Sequence, residues 1–333
     1  MNVPERVVTN DYFESYLDTS DEWIQERTGI RERRWADGEI SASELALPAC
    51  RAAIRNAGLS ESDIDGIIFA TVTPDYIFPS TACILQGKLG IKKGFAFDVN
   101  AVCSGFVYAL VMADSLIRTG QCSNVLIVGS ELYSRIIDQR DRSTCILFGD
   151  GAGAAVLSKS AAYSYGSRCD ADEMSLVGSG VRGILGSELH SDGSCAELLC
   201  VRAGTAKTVT PESLSNGEHY LFMAGREIFK LAVRALVEVS ESLLKKYGVD
   251  VSQIDYFVSH QANRRILLSM AKQLGISEEK VLINVDKYGN TSAASLPILL
   301  AESAANGVLK KGDLILLSAF GGGVTWGVVL LRW

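Results

Sequence analysis

Gly58-Leu59-Ser60-Glu61-Ser62-Asp63-Ile64-Asp65-Gly66-Ile67-Ile68-Phe69 returns as Gly248-Val249-Asp250-Val251-Ser252-Gln253-Ile254-Asp255-Tyr256-Phe257-Val258-Ser259, its leading Gly displaced by 190 positions and the Asp before the apolar run displaced equally. Each copy closes an apolar-periodic helix and opens a strand. The next elements recur in the same order: Asp98 to Gly120 and then Val125-Leu126-Ile127-Val128-Gly129 correspond to Asp286 to Gly312 and then Leu314-Ile315-Leu316-Leu317. The pattern is β-α-β-α-β twice, with the nearly continuous apolar strands of a parallel sheet covered by helices. This predicts an α/β fold of two duplicated halves, residues 1–160 and 161–333, with parallel-type sheets and buried helices.

The strand Gly94-Phe95-Ala96-Phe97-Asp98-Val99 of the first copy leads to Cys103 and then to a helix from about Ser104 to Leu116 and Ile117. A helix apolar on almost every face is a buried one. A thiol at its N-terminus meets unpaired backbone N–H groups and the positive end of the helix dipole, which favour the thiolate. Cys103 is therefore expected to act as a nucleophile and carry an acyl group without a dedicated base. Two polar clusters lie downstream, Ser259-His260-Gln261-Ala262-Asn263 and Gly289-Asn290-Thr291-Ser292-Ala293-Ala294-Ser295. Taken singly, His260 reads as a hydrogen-bonded structural histidine and Asn290 as a turn residue. The duplication places Cys103 and the Asn290 turn at equivalent strand C-termini, with His260 at another, where open α/β sheets bind ligands. One nucleophile, one imidazole and one amide donor then share a site. Cys50, Cys83, Cys122, Cys145, Cys169, Cys195 and Cys200 read as structural, since unpaired cysteine is among the most buried residue types.

A chain of 333 residues with 47% hydrophobic content buries a large core. Its longest apolar runs, such as Val328-Val329-Leu330-Leu331, fall far short of the roughly 20 residues of a membrane span. The segment from Met1 to Arg6 lacks a secretory apolar region, so a cytoplasmic protein is expected. The eight cysteines show no C-x-x-C pair and no zinc-spaced cluster, which favours reduced thiols over disulfides or a metal. The net charge of −7 argues against general nucleic-acid binding and leaves room for a local basic patch. At Phe148-Gly149-Asp150-Gly151-Ala152-Gly153 the spacing is G-x-G-x-G, followed by a short strand-like run, so a dinucleotide loop fails its context and the glycines are expected to serve close packing.

Seven segments in order resemble one family: Asp-Thr-Ser-Asp-Glu-Trp-Ile at 18 to 24, Arg-Thr-Gly-Ile-Arg-Glu-Arg at 27 to 33, the Cys103 segment, Phe-Gly-Asp-Gly-Ala-Gly-Ala at 148 to 154, His-Gln-Ala-Asn at 260 to 263, Gly-Asn-Thr-Ser-Ala-Ala-Ser at 289 to 295 and Ala-Phe-Gly-Gly-Gly at 319 to 323. They are similar to β-ketoacyl-acyl-carrier-protein synthase III, the initiating condensing enzyme of bacterial fatty-acid synthesis. The resemblance implies a thiolase-like fold, a homodimer, and Cys103, His260 and Asn290 as the catalytic set; Asn290 in its motif points to the initiating rather than the elongating branch.

The same resemblance implies acyl-CoA and malonyl-acyl-carrier protein as substrates, with no permanently bound cofactor. Cys103 would take the acyl group, His260 and Asn290 would stabilise the malonyl enolate, and the backbone N–H groups of Cys103 and Gly322 would hold the tetrahedral oxyanion. Trp23 and Arg142 would flank the adenine of CoA, with Arg27 on the phosphate side and Thr19 beside them. Phe229, Ala262, Asn263 and Phe320 match tunnel positions, and Phe78 matches a residue that reaches across the dimer to the partner's acyl pocket. Lys230, Arg265 and Lys272 are the expected basic docking patch for the acidic carrier protein.

The chain departs from the family pattern in two places. The strand ahead of Val3-Pro4-Glu5 is missing, and a family-like strand order is expected to make it a central strand of the first half. The Ser- and Gly-rich stretch from about 162 to 186 is longer than the usual link. Three other functions compete. A non-catalytic subunit is disfavoured by retention of all three residues; a thioester hydrolase is disfavoured by apolar walls; a related acyltransferase or starter enzyme of secondary metabolism would keep the same site.

Overall fold

The computed structural model describes residues 1–159 and 182–333. Its strands in chain order are β1 (Val7–Thr9), β2 (Glu32–Arg34), β3 (Gly66–Ala70), β4 (Phe95–Val99), β5 (Asn124–Leu132), β6 (Asp150–Ser158), β7 (Gly183–Ser191), β8 (Leu199–Val201), β9 (Leu221–Met223), β10 (Tyr256–Ser259), β11 (Leu314–Gly321) and β12 (Thr325–Arg332). One sheet has the order β4-β3-β5-β6 and the other β10-β11-β12-β7. The spacing of 190 persists in three dimensions: β3 and β10, the one-turn segments Val102–Ser104 and Ser292–Ala294, the helices Gly105–Arg118 and Ser295–Ala305, and β5 and β11 all begin at that offset.

Those two helices fill the layer between the sheets. Phe106, Ala109 and Ala113 of one and Leu296 and Leu299 of the other share a core with Ile68, Ile127, Val258 and Ile315 from both sheets. The first helix is not wholly enclosed, since Met112 and Ser115 reach the surface. The second approaches the first sheet so closely that only glycine fits beneath it. A Cβ at Gly153 would stand 2.6 Å from the Pro297 carbonyl carbon, and one at Gly129 would stand 2.4 Å from the Ala293 oxygen. The glycines at 149 to 153 therefore serve packing on β6, as expected.

Three expectations are corrected. The sheets are mixed rather than parallel: β6 runs antiparallel to β5, and β12 is antiparallel to both β11 and β7. For β11 and β12 the cause is connection length, because the few residues between them permit only a hairpin. The middle strand of the second half shrinks to a single bridge between Phe257 and Val281. The expectation of a missing central strand is not met, since β3 pairs directly with both β4 and β5 and the sheet has no central gap. Beside β6, in the position that β7 takes beside β12 in the other half, Asn2 forms a lone bridge with Ala152. Of the long link, residues 162–181 lie outside those described, and Gly183–Gly186 already belongs to β7.

Arg33 ties the N-terminal segment to the site. Its guanidinium is fully buried, donates to the oxygens of Val8, Asn10 and Ile146, and lies 4.8 Å from the centre of the Phe13 ring. Burial lowers its pKa to about 10, leaving it charged at neutral pH. Arg33→Met would orphan three acceptors, and charged hydrogen bonds contribute about 1.5–3 kcal/mol each. A loss of at least about 3 kcal/mol in unfolding free energy is expected, read as a lower urea midpoint with the slope of the transition unchanged.

Candidate active site

Cys103, His260 and Asn290 converge from three elements on one cavity of about 730 Å³. Cys103 sits in the one-turn segment Val102–Ser104 between β4 and the helix Gly105–Arg118. Val102 adopts φ 49, a left-handed conformation that costs a β-branched residue about 1–3 kcal/mol and turns the chain sharply into the helix. The thiol is almost wholly buried, and that burial pushes its pKa up to about 12, with the charge of Glu131 adding in the same direction. This corrects the expectation of a thiolate favoured by the helix alone. In the resting site the loss of water is the largest influence on the thiol, and the nearby hydroxyls of Ser292 and Tyr133 act in the opposite direction, toward the thiolate.

His260 follows β10 and is held by its backbone N–H, which donates to the Ser318 oxygen on β11 at 2.8 Å. Its Nδ1 lies 2.7 Å from Ser295 Oγ. The same Oγ accepts from the Gln261 backbone N–H at 3.4 Å and can donate its own proton to Nδ1. In that arrangement the ring hydrogen sits on Nε2. Burial pulls the imidazole pKa down to about 3, so the ring is a neutral donor at physiological pH.

Asn290 is fixed by its backbone N–H, which donates to the Leu147 oxygen, and by its own carbonyl, which accepts from Gly149. Its Oδ1 accepts from the Ser292 N–H at 2.9 Å, leaving Nδ2 as the side chain's donor toward the cavity it lines. The loop Gly321–Gly323 closes against the nucleophile: a Cβ at Gly321 would stand 2.7 Å from Cys103 N, and Gly322 packs on Val102 and Leu199 without lining the cavity.

The far end of the cavity is built around Trp23, on a helix capped by Ser20. Arg27 and Arg142 lie 4.8 and 4.7 Å from the centre of its ring, both attracted to the negative face of the indole. Phe229, Ala262, Asn263 and Phe320 line the walls, with Lys230 and Arg265 at the mouth. Asn263 has a second task, because its Oδ1 caps the helix Arg264–Leu274 by accepting from Arg265 and Ile266. Lys272 stands outside the cavity, seven residues along that helix from Arg265 and so on the same face. Thr19 does not line it either, and its buried Oγ1 has no hydrogen-bond partner among the described residues. Phe78 lies elsewhere on the surface, 85% exposed in a loop with Tyr76 and Ile77. Cys83, read as structural, is exposed.

Sequence reasoning missed Tyr133, Ser292, Glu131 and Ser295 around the reacting groups, and Arg226 at the mouth. The two serines were hidden in a motif read as a turn. Glu131 had a usable signal, a carboxylate just past the apolar run 125–128 of its strand. Among the described residues no helix is long and apolar enough to cross a membrane.

Comparisons with known proteins agree with this geometry. The family profile "3-Oxoacyl-[acyl-carrier-protein (ACP)] synthase III" matches residues 97–173, and its C-terminal counterpart matches residues 244–333. A β-ketoacyl-[acyl-carrier-protein] synthase III of Brucella anthropi is 50% identical over 331 residues, 99% of this chain and 96% of the relative. The crystal structure of 3-oxoacyl-[acyl-carrier-protein] synthase III from Aquifex aeolicus superposes with a TM-score of 0.87 at 45% identity, covering 100% of this chain and 97% of the other. That of the Thermus thermophilus enzyme gives 0.85 at 41%, covering 99% and 96%. With a shared thiolase-like fold and this identity across nearly its whole length, the chain belongs to the β-ketoacyl-acyl-carrier-protein synthase III family of condensing acyltransferases.

Proposed function

We propose that this chain condenses a short acyl-CoA, acetyl-CoA foremost, with malonyl-acyl-carrier protein to give a 3-oxoacyl-acyl-carrier protein, the step that starts fatty-acid synthesis. The observation that carries the reading is one cavity lined by Cys103, His260 and Asn290 and also by the Trp23, Arg27 and Arg142 cluster. A planar purine stacks on such a cluster and its phosphates meet guanidinium groups, so a CoA thioester is the ligand class that spans the two ends.

Cys103 attacks the acyl thioester carbon and CoA leaves as the thiol. The backbone N–H groups of Cys103 and Gly322 receive the tetrahedral oxyanion. Malonyl-acyl-carrier protein then enters, and its carbon–carboxylate bond breaks to release carbon dioxide. Its thioester oxygen becomes an enolate held by His260 Nε2–H and Asn290 Nδ2–H. The enolate carbon forms a bond to the acyl carbon, the bond from that carbon to the Cys103 sulfur breaks, and the released thiolate takes a proton from solvent to restore the thiol. CoA is a substrate in this scheme, and no cofactor stays bound. The free thiols of the seven described cysteines support a reducing, cytoplasmic setting.

A homodimer is supported by two features: β4 ends its sheet half-buried, and Tyr76, Ile77 and Phe78 are 64, 78 and 85% exposed. A contiguous apolar patch of this kind marks an interface. Phe78 would reach the partner's acyl pocket from there and set starter length.

The reading is tested by mixing acetyl-CoA with malonyl-acyl-carrier protein and weighing the product. Brief exposure to acetyl-CoA alone should add one acetyl group, located on Cys103 by peptide mass spectrometry. Label on exposed Cys83 instead, or none with any acyl-CoA tried, would defeat the assignment.

Carrier-protein docking is assigned to Arg265, Lys230 and Lys272, which are exposed around the mouth or along the same helix face. Arg265→Glu should raise KM for the malonyl substrate about tenfold, the effect of about 1.4 kcal/mol, and leave acetyl transfer from CoA nearly unchanged. An equal fall in both half-reactions would refute this patch.

A further inference from the structure

The burial of Cys103 leaves one requirement of the proposed reaction unmet: a proton acceptor for the thiol. In the scheme above His260 does not supply it, because Nδ1 is engaged by Ser295 and the Nε2–H is the donor to the enolate. Behind the thiol lies a group with no role in the scheme above. Glu131 is fully buried on β5, which beyond its first residue, Asn124, is otherwise composed of apolar and small residues. Its Oε2 accepts from Thr73 Oγ1 at 2.7 Å, Val72 N at 3.1 Å and Thr71 Oγ1 at 3.2 Å. Its Oε1 accepts from Ser292 Oγ at 3.2 Å, and the Ser292 hydroxyl also lies close enough to the Cys103 thiol to favour its thiolate. A hydroxyl has one proton and cannot donate to both neighbours at once.

Ser292 is held there at a cost. It adopts φ 50, the counterpart in the second half of Val102, and its backbone N–H is the one that orients Asn290. For a non-glycine residue that conformation costs about 1–3 kcal/mol, and such strain clusters at working sites. The Tyr133 hydroxyl also lies beside the thiol and favours its thiolate, with the tyrosine ring stacked on Phe148 at 4.7 Å.

Building on the assignment of Cys103 as nucleophile, we propose that Glu131 is the positioning residue that accepts its proton, relayed through Ser292. In one concerted shift the thiol proton forms a new O–H bond on Ser292 while the serine's own proton passes to the Glu131 carboxylate. The negative charge moves from carboxylate to sulfur with no change in total. The thiolate forms the C–S bond to the acyl group, the bond from that carbon to the CoA sulfur breaks, and the proton returns from Glu131 through Ser292 to the departing CoA sulfur. Cys103 and Tyr133 are the titratable groups that face Glu131. Asp150 on neighbouring β6 is engaged by Ala36 and Ser134, and residues 71–73 contribute hydroxyls and a backbone amide. Burial raises the Glu131 carboxyl to about 7, which suits an acceptor at neutral pH.

Single-turnover acetylation by acetyl-CoA, followed by intact mass, tests the relay in Glu131→Gln and Ser292→Ala, with parallel rates of iodoacetamide alkylation across pH. Positioned proton transfer typically contributes at least about 100-fold, so both variants should slow by about that factor near pH 7 and recover as alkali ionises the thiol directly. A carboxylate that merely repels the thiolate makes the opposite prediction, faster alkylation in Glu131→Gln. That result, or an unchanged rate and pH profile in a folded Ser292→Ala, overturns the relay. Ser292→Ala removes only one oxygen and keeps the backbone N–H, so it serves if Glu131→Gln does not fold. Failure of the unsubstituted protein to acetylate at Cys103 would instead sink the nucleophile assignment.

Discussion

Asn290→Ala is expected to lose about 100- to 1,000-fold in carbon dioxide release from malonyl-acyl-carrier protein, the usual effect of removing one positioned donor from a developing oxyanion. Acetylation of Cys103 should continue in this variant, because the amide points at the malonyl thioester and not at the thiol. The geometry gives the loss a specific cause. Ser292 N–H holds Oδ1 at 2.9 Å, so Nδ2 is presented without reorganisation, and alanine leaves nothing in its place. Cys103→Ala should show the reverse pattern, with no acyl transfer or condensation but continued decarboxylation. Radiolabelled malonyl substrate and captured carbon dioxide distinguish the two. Near-normal release in Asn290→Ala would return that residue to the status of a turn.

His260→Ala should fall by a similar factor in decarboxylation, and Ser295→Ala should follow it more mildly, by about tenfold, through loss of the tautomer that presents Nε2–H. A merely structural serine would lower stability without moving the pH profile. With the imidazole held near 3, decarboxylation by the unsubstituted protein should show no imidazole ionisation between about pH 5 and about pH 8. In Ser295→Ala the ring hydrogen is free to move to Nδ1, and the loss should appear in kcat more than in KM. The stability consequence has a definite sign. A histidine depressed from 6.5 binds more protons unfolded than folded, so its burial favours the folded state most at high pH. Stability is then lost as pH falls from about 6.5 toward about 3. A decarboxylation profile with an inflection near 6.5 that vanishes in His260→Ala would contradict the buried neutral ring.

Much of the fold was legible because duplication is a pattern in the sequence itself. The offset of 190 between Gly58 and Gly248 is the same that separates β3 from β10 and the two central helices from each other. Strand direction was less legible. Apolar runs look alike whether parallel or antiparallel, and only the short Gly321–Gly323 turn hinted at a hairpin between β11 and β12. The expected central position of the chain's first segment was misjudged for a related reason: order within a sheet depends on which edges meet across the chain, and Asn2 meets Ala152 only in the folded molecule.

The candidate site divides in the same way. Residue types and their spacing were enough to single out Cys103, His260 and Asn290, since a thiol at a helix start and donors at strand ends are local features that a chain carries whatever surrounds them. The protonation states were not local. The depressed imidazole of His260, the raised thiol of Cys103 and the carboxyl of Glu131 near neutrality all follow from exclusion of water by residues distant in sequence. So does the contact between Ser292 and Glu131, 161 positions apart. The sequence by itself determined which groups are present and which elements carry them. Tertiary structure decided which face one another and how much water each retains, because desolvation and hydrogen-bond partnership depend on every neighbour in space.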